Sequence, residues 1–164
     1  MLPSEWSPAP HARLWIHTAD RPLTADEQSQ MLGNFEPFLS TWAAHGEALK
    51  AEAVILLDRI LVVALDLDQV SATGCSIDSM LNFVRDQGGQ SGIDWFDRHQ
   101  VVYWDSGEVQ AECMQLRTPE FWALRKAGRI QDDALVCDTL IPSASEWSTF
   151  VKPFSESWHA QMWN

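Results

Sequence analysis

The sequence lacks the loops by which many enzymes hold nucleotides or activate a serine. No glycine is followed by lysine, so a Walker A loop of the form GxxxxGK[ST] is absent, and GxGxxG does not occur. The nucleophile pattern GxSxG is missing too. Because such loops bring backbone N–H groups to a phosphate or a reacting oxygen, we expect neither ATP chemistry nor hydrolysis of this serine type.

Metal-binding patterns are also absent. The chain has no CxxC, no HExxH and no two histidines four residues apart. Asp66 and Asp68 begin a stretch that lacks the third ligand, the glycine and the final glutamate of an EF-hand loop. We therefore predict no metal site and no cofactor.

Cysteine is scarce. The three cysteines are Cys75, Cys113 and Cys137, an odd number with no closely spaced pair. A disulfide framework is therefore not expected, and reduced thiols fit a cytoplasmic protein. Cys113 and Cys137 lie in apolar stretches, which predicts that they belong to the core.

Basic residues are few, 11 against 23 acidic ones, and the formal net charge is −12. A surface of this sign repels phosphate backbones and favours basic partners, so we predict no nucleic-acid binding. No apolar run approaches the ~20 residues of a membrane span, and the first residues lack the features of a signal peptide. We therefore expect no membrane association.

The N-terminal half alternates strand and helix signals. Residues 1–12 are proline-rich and predict an extended arm, and 13–18 predict a strand. Thr24 and Glu27 form a capping box that begins a helix, for which Gly46 is the expected end.

Residues 49–116 continue this alternation. The apolar stretch 49–68 predicts two buried strands joined at Asp58-Arg59. Apolar residues at helical spacing predict a helix over 77–87, and 98–104 and 108–116 predict two further strands.

This order predicts an α+β fold of ferredoxin-like topology, βαββαβ, with both helices on one face of an antiparallel sheet. In that sheet the strands near 13–18, 51–57, 60–66 and 98–104 are paired. We predict one domain over 1–164, with an α+β core at 13–116 and a small C-terminal α/β extension at 117–164.

Residues 71–80, SATGCSIDSM, begin the second helix and provide the first candidate site. If Ser76 is the N-cap, Cys75 occupies the N′ position and packs on Met80 as a hydrophobic staple, and Asp78 complements the helix dipole. The alternative is a nucleophile, because a helix N-terminus stabilises a thiolate, although the Asp78 carboxylate opposes it. We favour the structural role, in which Cys75→Ala costs on the order of 1 kcal/mol.

A nucleophilic cysteine needs a base, and His45 is the candidate. The peptide WAAHGEAL places His45 at the end of the first helix beside Gly46, where an imidazole can cap the last carbonyl groups. In a ferredoxin-like unit this helix end and Cys75 lie at opposite ends of the sheet. Capping is thus the expected role of His45, and a dyad with Cys75 is the alternative.

Tryptophan is abundant, with nine in 164 residues. Trp6, Trp158 and Trp163 lie in the terminal segments. They either clamp the ends of the chain onto the body or form a partner interface. We expect clamping and keep Trp158 and Trp163 as candidate partner contacts.

Several peptides carry a resemblance to a known family. LWI, RPLTADE, FLSTWAAHGEALKAE, GCSIDSM and SESWHAQMWN resemble an uncharacterised bacterial family of Bacteroidetes-type genomes, whose members often carry the label "ABC transporter ATPase". The WxxHG and GCSID motifs are the most specific. The resemblance draws attention to His45, Gly46, Cys75, Ser76 and Asp78 as a shared group, and it implies no activity, fold or cofactor.

Two functions are consistent with the sequence. The first is a non-catalytic cytoplasmic protein that binds a partner protein or a small ligand, with Gly46 and Ser76 among the candidate contacts. A second copy of the chain, paired through an exposed strand, is one such partner. The alternative is a cysteine-dependent enzyme for acyl transfer or thiol chemistry, with Cys75 as nucleophile and His45 and Asp78 assisting.

The missing phosphate-binding loops lead to a first prediction. Calorimetric titration of the protein with ATP and magnesium should give no saturable binding, and no phosphate should be released. A dissociation constant in the micromolar range would contradict this expectation.

Overall fold

The computed structural model describes residues 1–68, 70–105, 107–110 and 112–162. The strands in these ranges are β1 Ala12–Thr18, β2 Ala43–Ala44, β3 Glu47–Ala48, β4 Ala51–Leu56, β5 Ile60–Asp66, β6 Gln100–Trp104, β7 Met114–Arg117, β8 Leu135–Cys137 and β9 Val151–Pro153. The α-helices are α1 Ala25–Thr41, α2 Gly74–Ser91, α3 Thr118–Lys126 and α4 Trp158–Gln161.

The first sheet is built around the apolar strand β5. It has the order β1–β5–β4, all antiparallel, and Val62 is paired with Ile16 on β1 and with Val54 on β4. The turn from Leu57 to Arg59 joins β4 to β5, close to the predicted position. The pairing of these strands and their tight connection are confirmed.

The two faces of β5 contact different parts of the molecule. Leu61, Val63 and Leu65 point into a core shared with α1 and α2. The alternate side chains, Ile60 and Val62 among them, point into a second core shared with β6 and β8. Both helices therefore cover one face of the first sheet, as predicted, and a second sheet covers the other.

The second sheet has the order β7–β6–β8–β9, again antiparallel. Strand β6 divides its side chains between two cores: Val102 faces the first sheet, whereas Val101 and Tyr103 pack against Phe121 of α3. His159 of α4 is buried and lies near Phe121. In cross-section the layers are helices, first sheet, second sheet, helices.

The α+β class is confirmed, but the placement of the fourth strand is wrong. Gln100–Trp104 pairs with β7 and β8 in the second sheet rather than with the first sheet, so the ferredoxin-like topology is not confirmed. The strand expected over 108–116 starts only at Met114. The division into core and extension at residue 117 stays a prediction, and strands from both sides of it pair in the second sheet.

Helix α1 differs from its prediction at its C-terminal end. The capping box of Thr24 and Glu27 is present, but the helix ends at Thr41 instead of Gly46. Pro37 lies inside the helix without dividing it. Proline at this position removes one helical hydrogen bond, that to the carbonyl of Gly33 four residues earlier, and the helix continues on both sides of it.

Two histidines, His159 buried and His17 half-buried, make the fold sensitive to mild acid. Burial lowers the pKa of His17 to about 4, although a hydrogen bond to the Trp95 backbone raises it. Burial likewise lowers the pKa of His159 to about 4, against the opposing effect of the Asp138 carboxylate. Both imidazoles are neutral in the folded protein and take up a proton on unfolding once the pH is below 6.5.

We therefore predict that the free energy of unfolding is highest above pH 6.5 and falls as the pH drops from about 6.5 towards about 4. At pH 5 each histidine should cost about 2 kcal/mol, at roughly 1.4 kcal/mol per pH unit. Urea denaturation at pH 7 and pH 5 measures the difference. Changing His17 or His159 to glutamine should reduce it, and an unchanged difference in both variants would contradict the assignment.

Candidate functional site

The first turn of α2 does not have the capping pattern inferred from the sequence. The N-cap is Thr73, and Ser76 is the third helical residue. The Thr73 N–H donates to Ser76 Oγ at 2.8 Å, and the Ser76 N–H donates to Thr73 Oγ1 at 3.3 Å. The Ser76 hydroxyl is thus engaged in capping the helix, and the residue is buried.

This start of the helix changes the role of Cys75. The residue lies at the second helical position and its side chain is exposed, so the expected N′ position and hydrophobic staple on Met80 are wrong. Met80 is fully buried by other residues, although the Cys75 side chain is exposed. Asp78 is also exposed and lies at the fifth helical position rather than the second. Cys75 is therefore an accessible thiol in a first helical turn.

His45 and Gly46 form the tip of a short hairpin. They connect β2 to β3 with φ values of 53° and 85°, the left-handed conformation that a two-residue hairpin turn requires. His45 does not cap α1, which ended four residues earlier at Thr41. The prediction of a helix end at this position is wrong, because His-Gly here forms the turn of a hairpin.

The hairpin lies against the start of α2. The indole N–H of Trp42, just before β2, donates to the carbonyl oxygen of Ser76 at 2.8 Å. The segment that carries His45 thus folds back towards α2. The expectation that this segment and the start of α2 lie at opposite ends of the sheet is therefore wrong. Both His45 and Cys75 are exposed, and no hydrogen bond joins them in the described ranges.

The terminal tryptophans contact the body of the protein. Trp6 packs edge-on against Trp147, with ring centroids 5.0 Å apart, and its carbonyl oxygen accepts the Trp147 indole N–H. Trp158 is half-buried and stacks on His159 at 3.9 Å. Trp6 thus acts as a clamp. The role of Trp158, as a clamp or as a partner contact, stays a prediction, and Trp163 lies outside the described residues.

The buried thiols, possible metal ligands and possible membrane helices can be described together. Cys113 and Cys137 are buried, as expected. No group of three potential ligands among His, Cys, Asp and Glu converges anywhere in the described part of the chain. Over the same residues, no helix combines the length and apolarity required to cross a bilayer.

The free edge of the first sheet is strand β4, which the sequence analysis did not single out. The Asp66 N–H donates to the Lys50 carbonyl at 2.9 Å, which sets the alternation of hydrogen bonds between β4 and β5. By that alternation the backbone N–H and C=O groups of Ala51, Ala53 and Ile55 point away from β5. Among the described residues no backbone partner faces them.

An apolar groove of about 380 Å³ runs along this edge, between β4 and α1. Ala51 and Ala53 form its strand side, and their single methyl groups leave the space beside the helix open. The helix side and the ends are lined by Leu32, Phe35, Leu39 and Leu49, with Glu36, Ser40 and Lys50 as the polar lining residues.

The two charged residues of the groove, Lys50 and Glu36, differ in whether an ion pair compensates their charge. Lys50 Nζ lies 2.9 Å from Asp66 Oδ2, so its charge is compensated. Glu36 has no ion-pair partner in the described ranges. The groove is therefore apolar with a weakly acidic side. The two alanines in the strand that follows Lys50 are the sequence feature from which this groove could have been predicted.

Comparison with known proteins identifies no relative. No protein-family model, no curated protein and no solved structure matches the chain. The resemblance to the bacterial family with the WxxHG and GCSID motifs therefore stays a prediction, and the groove and the α2 turn are interpreted on their geometry.

The different burial of the thiols leads to a labelling prediction. In the folded protein, iodoacetamide should modify Cys75 first, while Cys113 and Cys137, 6% and 2% exposed, should react only on unfolding. Burial also raises the pKa of both buried thiols. Mass spectrometry of the labelled peptides measures the order.

The exposure of Cys75 also revises the expected cost of Cys75→Ala to within about 0.5 kcal/mol, as for a surface substitution. A loss above 1 kcal/mol would contradict the described environment. Rapid labelling of Cys75 at pH 6 would instead indicate an activated thiolate and favour the enzyme alternative.

Proposed function

We propose that this protein is a non-catalytic binding module that takes up an extended segment of a partner protein as an additional strand along β4. The observation that carries the proposal is the open backbone edge at Ala51 and Ala53, next to an apolar groove. In this recognition mode, main-chain hydrogen bonds supply affinity and alternate side chains of the segment enter the groove.

The other edge of the same sheet shows how a chain covers a strand. The Leu14 N–H of β1 donates to the Pro142 carbonyl at 2.9 Å, and Arg13 forms a β-bridge with Ser143. At the end of β4 the Leu57 N–H donates to the Met1 carbonyl at 2.8 Å. Segments of the chain itself thus bind backbone groups at both edges of the first sheet. Among the described residues, no such segment lies along the middle of β4.

The chemistry of the partner follows from the lining and the charge. Leucine and phenylalanine side chains on α1 suit apolar residues at every second position of the segment. The unpaired Glu36 and the net charge of −12 favour flanking lysine or arginine. The same charge opposes pairing of two copies of this chain, so a different, basic protein is the preferred occupant.

Two related predictions belong to this proposal. A cytoplasmic location is supported by the three free cysteines. The alternative, a cysteine-dependent enzyme, rests on the exposed Cys75 in the first turn of α2. It has no base in hydrogen-bond contact with the thiol among the described residues, and the binding module is therefore preferred.

A proline in β4 can block the open edge of the first sheet without removing a side chain from the core. Ala53→Pro removes an N–H that points away from β5, so the pairing with β5 should survive and the melting temperature should change little. Peptides selected from a random 12-residue display library on the wild-type protein should show alternating apolar residues with lysine or arginine. Their affinity for Ala53→Pro should fall at least tenfold in fluorescence polarisation.

Ala53→Ser is the matched control, because it keeps the N–H and nearly the same volume, and it should bind like the wild type. N-methylation of a selected peptide should abolish binding only at alternate positions. The proposal fails if no peptide is enriched, if Ala53→Pro binds equally well, or if light scattering shows a dimer through β4 that Ala53→Pro dissociates.

A further inference from the structure

The open stretch of the β4 edge is limited at both ends by the chain itself. The Leu49 N–H donates to the Trp42 carbonyl at 2.9 Å, so the approach to β4 is already paired. At the other end the Leu57 N–H donates to the Met1 carbonyl at 2.8 Å. A segment added along β4 is therefore confined to the stretch 51–55, and its position along the strand is restricted.

The two faces of this stretch differ in chemistry. Ala51 and Ala53 pack towards α1 and line the groove. Glu52 and Val54 alternate with them and lie on the opposite face, where Val54 packs on the second core. The residues of an added strand alternate in the same way. Those opposite Ala51 and Ala53 enter the groove, and the residue between them lies beside Glu52.

Glu52 is an exposed carboxylate with a defined position. It forms no ion pair in the described ranges, and Lys50, two residues earlier on the same strand, is paired with Asp66. The Trp6 indole N–H donates to Glu52 Oε2 at 3.4 Å. Trp6 is itself held by its contact with Trp147. The carboxylate is thus placed beside a fixed indole, and no basic side chain compensates its charge.

From this geometry we infer that Glu52 determines the specificity of the β4 edge, by selecting a segment with lysine or arginine between two apolar residues. The inference rests on the proposed strand binding and adds the identity of the central residue. It differs from the role of Glu36, which lies on the groove side of the same edge.

The geometry of strand pairing gives the physical reason. All pairs in the first sheet are antiparallel, and the Glu52 backbone groups point towards β5. In an antiparallel segment the residue opposite Glu52 therefore belongs to a pair without hydrogen bonds, whose Cα atoms are closest, about 4.5 Å apart. Opposite charges in such a pair stabilise it and like charges destabilise it.

The neighbouring indole favours a long cationic side chain over other polar residues. Trp6 is half-buried and lies against the face that carries Glu52. The methylene stem of a lysine or arginine can cover the exposed part of this ring, while its charged group stays at the Glu52 carboxylate. An aromatic ring close to the cation adds a further attraction.

The test uses peptides selected on the wild-type protein from the 12-residue library. Lysine or arginine should be enriched between the two apolar positions. Changing that residue to glutamine in one selected peptide should weaken its binding to the wild type about three- to fivefold in fluorescence polarisation. Glu52→Gln should weaken binding of the original peptide by the same factor, and the two changes together should cost no more than one. Glu52→Lys should prefer a peptide with glutamate at this position.

The matched control is Glu156→Gln, which removes one exposed negative charge in the turn Phe154–Glu156, outside the groove and the β4 edge, and should bind like the wild type. If no peptide binds, or Ala53→Pro binds equally well, the strand-binding proposal fails and this inference with it. If Ala53→Pro blocks binding but the central residue is not basic, only the inference is overturned. Equal weakening by Glu52→Gln and Glu156→Gln also overturns the inference alone, since a general charge effect would explain it.

Discussion

Strand β5 is apolar on both faces, and the arrangement of the other elements follows from the need to cover both. Its residues from Ile60 to Leu65 are at most 3% exposed. Burying one such side chain contributes about 1.5–3 kcal/mol, so exposing either face would remove a large part of the stability of a domain. The helices α1 and α2 cover one face and the second sheet covers the other, which produces the layered structure.

The same arrangement decides where the molecule can bind something. With β5 in the centre, β1 and β4 become the edges of the first sheet. The segment around Pro142 covers part of the β1 edge, whereas the small side chains of Ala51 and Ala53 leave β4 open beside α1. An open edge is an aggregation risk unless it is short or used for binding, and here it adjoins a groove of apolar side chains.

At the end of the molecule that carries the β4–β5 turn, a polar cleft lies where the two sheets meet. Loops from both sheets converge around the β4–β5 turn, and their polar side chains satisfy one another through Gln100, Gln115 and Asp97. A polar network of this kind is rigid when its hydrogen bonds are complete. Of the charged residues around it, Arg59, Asp20, Asp94 and Glu120 have no ion-pair partner in the described ranges.

The sequence by itself determined the local elements. Residues 13–18 indicated β1, the continuous apolar stretch indicated the β4–β5 pair, and the capping box located the start of α1 at Thr24. Helical spacing identified the buried face of α2 that includes Met80 and Val84. These features depend on hydrogen bonds and side-chain periodicity within a few residues, so the pattern suffices to recognise them.

Only the tertiary structure decided how these elements combine. Strand β6 alternates in the same way whether it extends the first sheet or faces it, so its periodicity could not assign it to a second sheet. The placement of the His45-Gly46 hairpin beside α2 involves the hydrogen bond from Trp42 to Ser76, 34 residues away in the chain. The groove beside β4 likewise joins residues from distant segments, because it exists only where the helix layer and the first sheet meet.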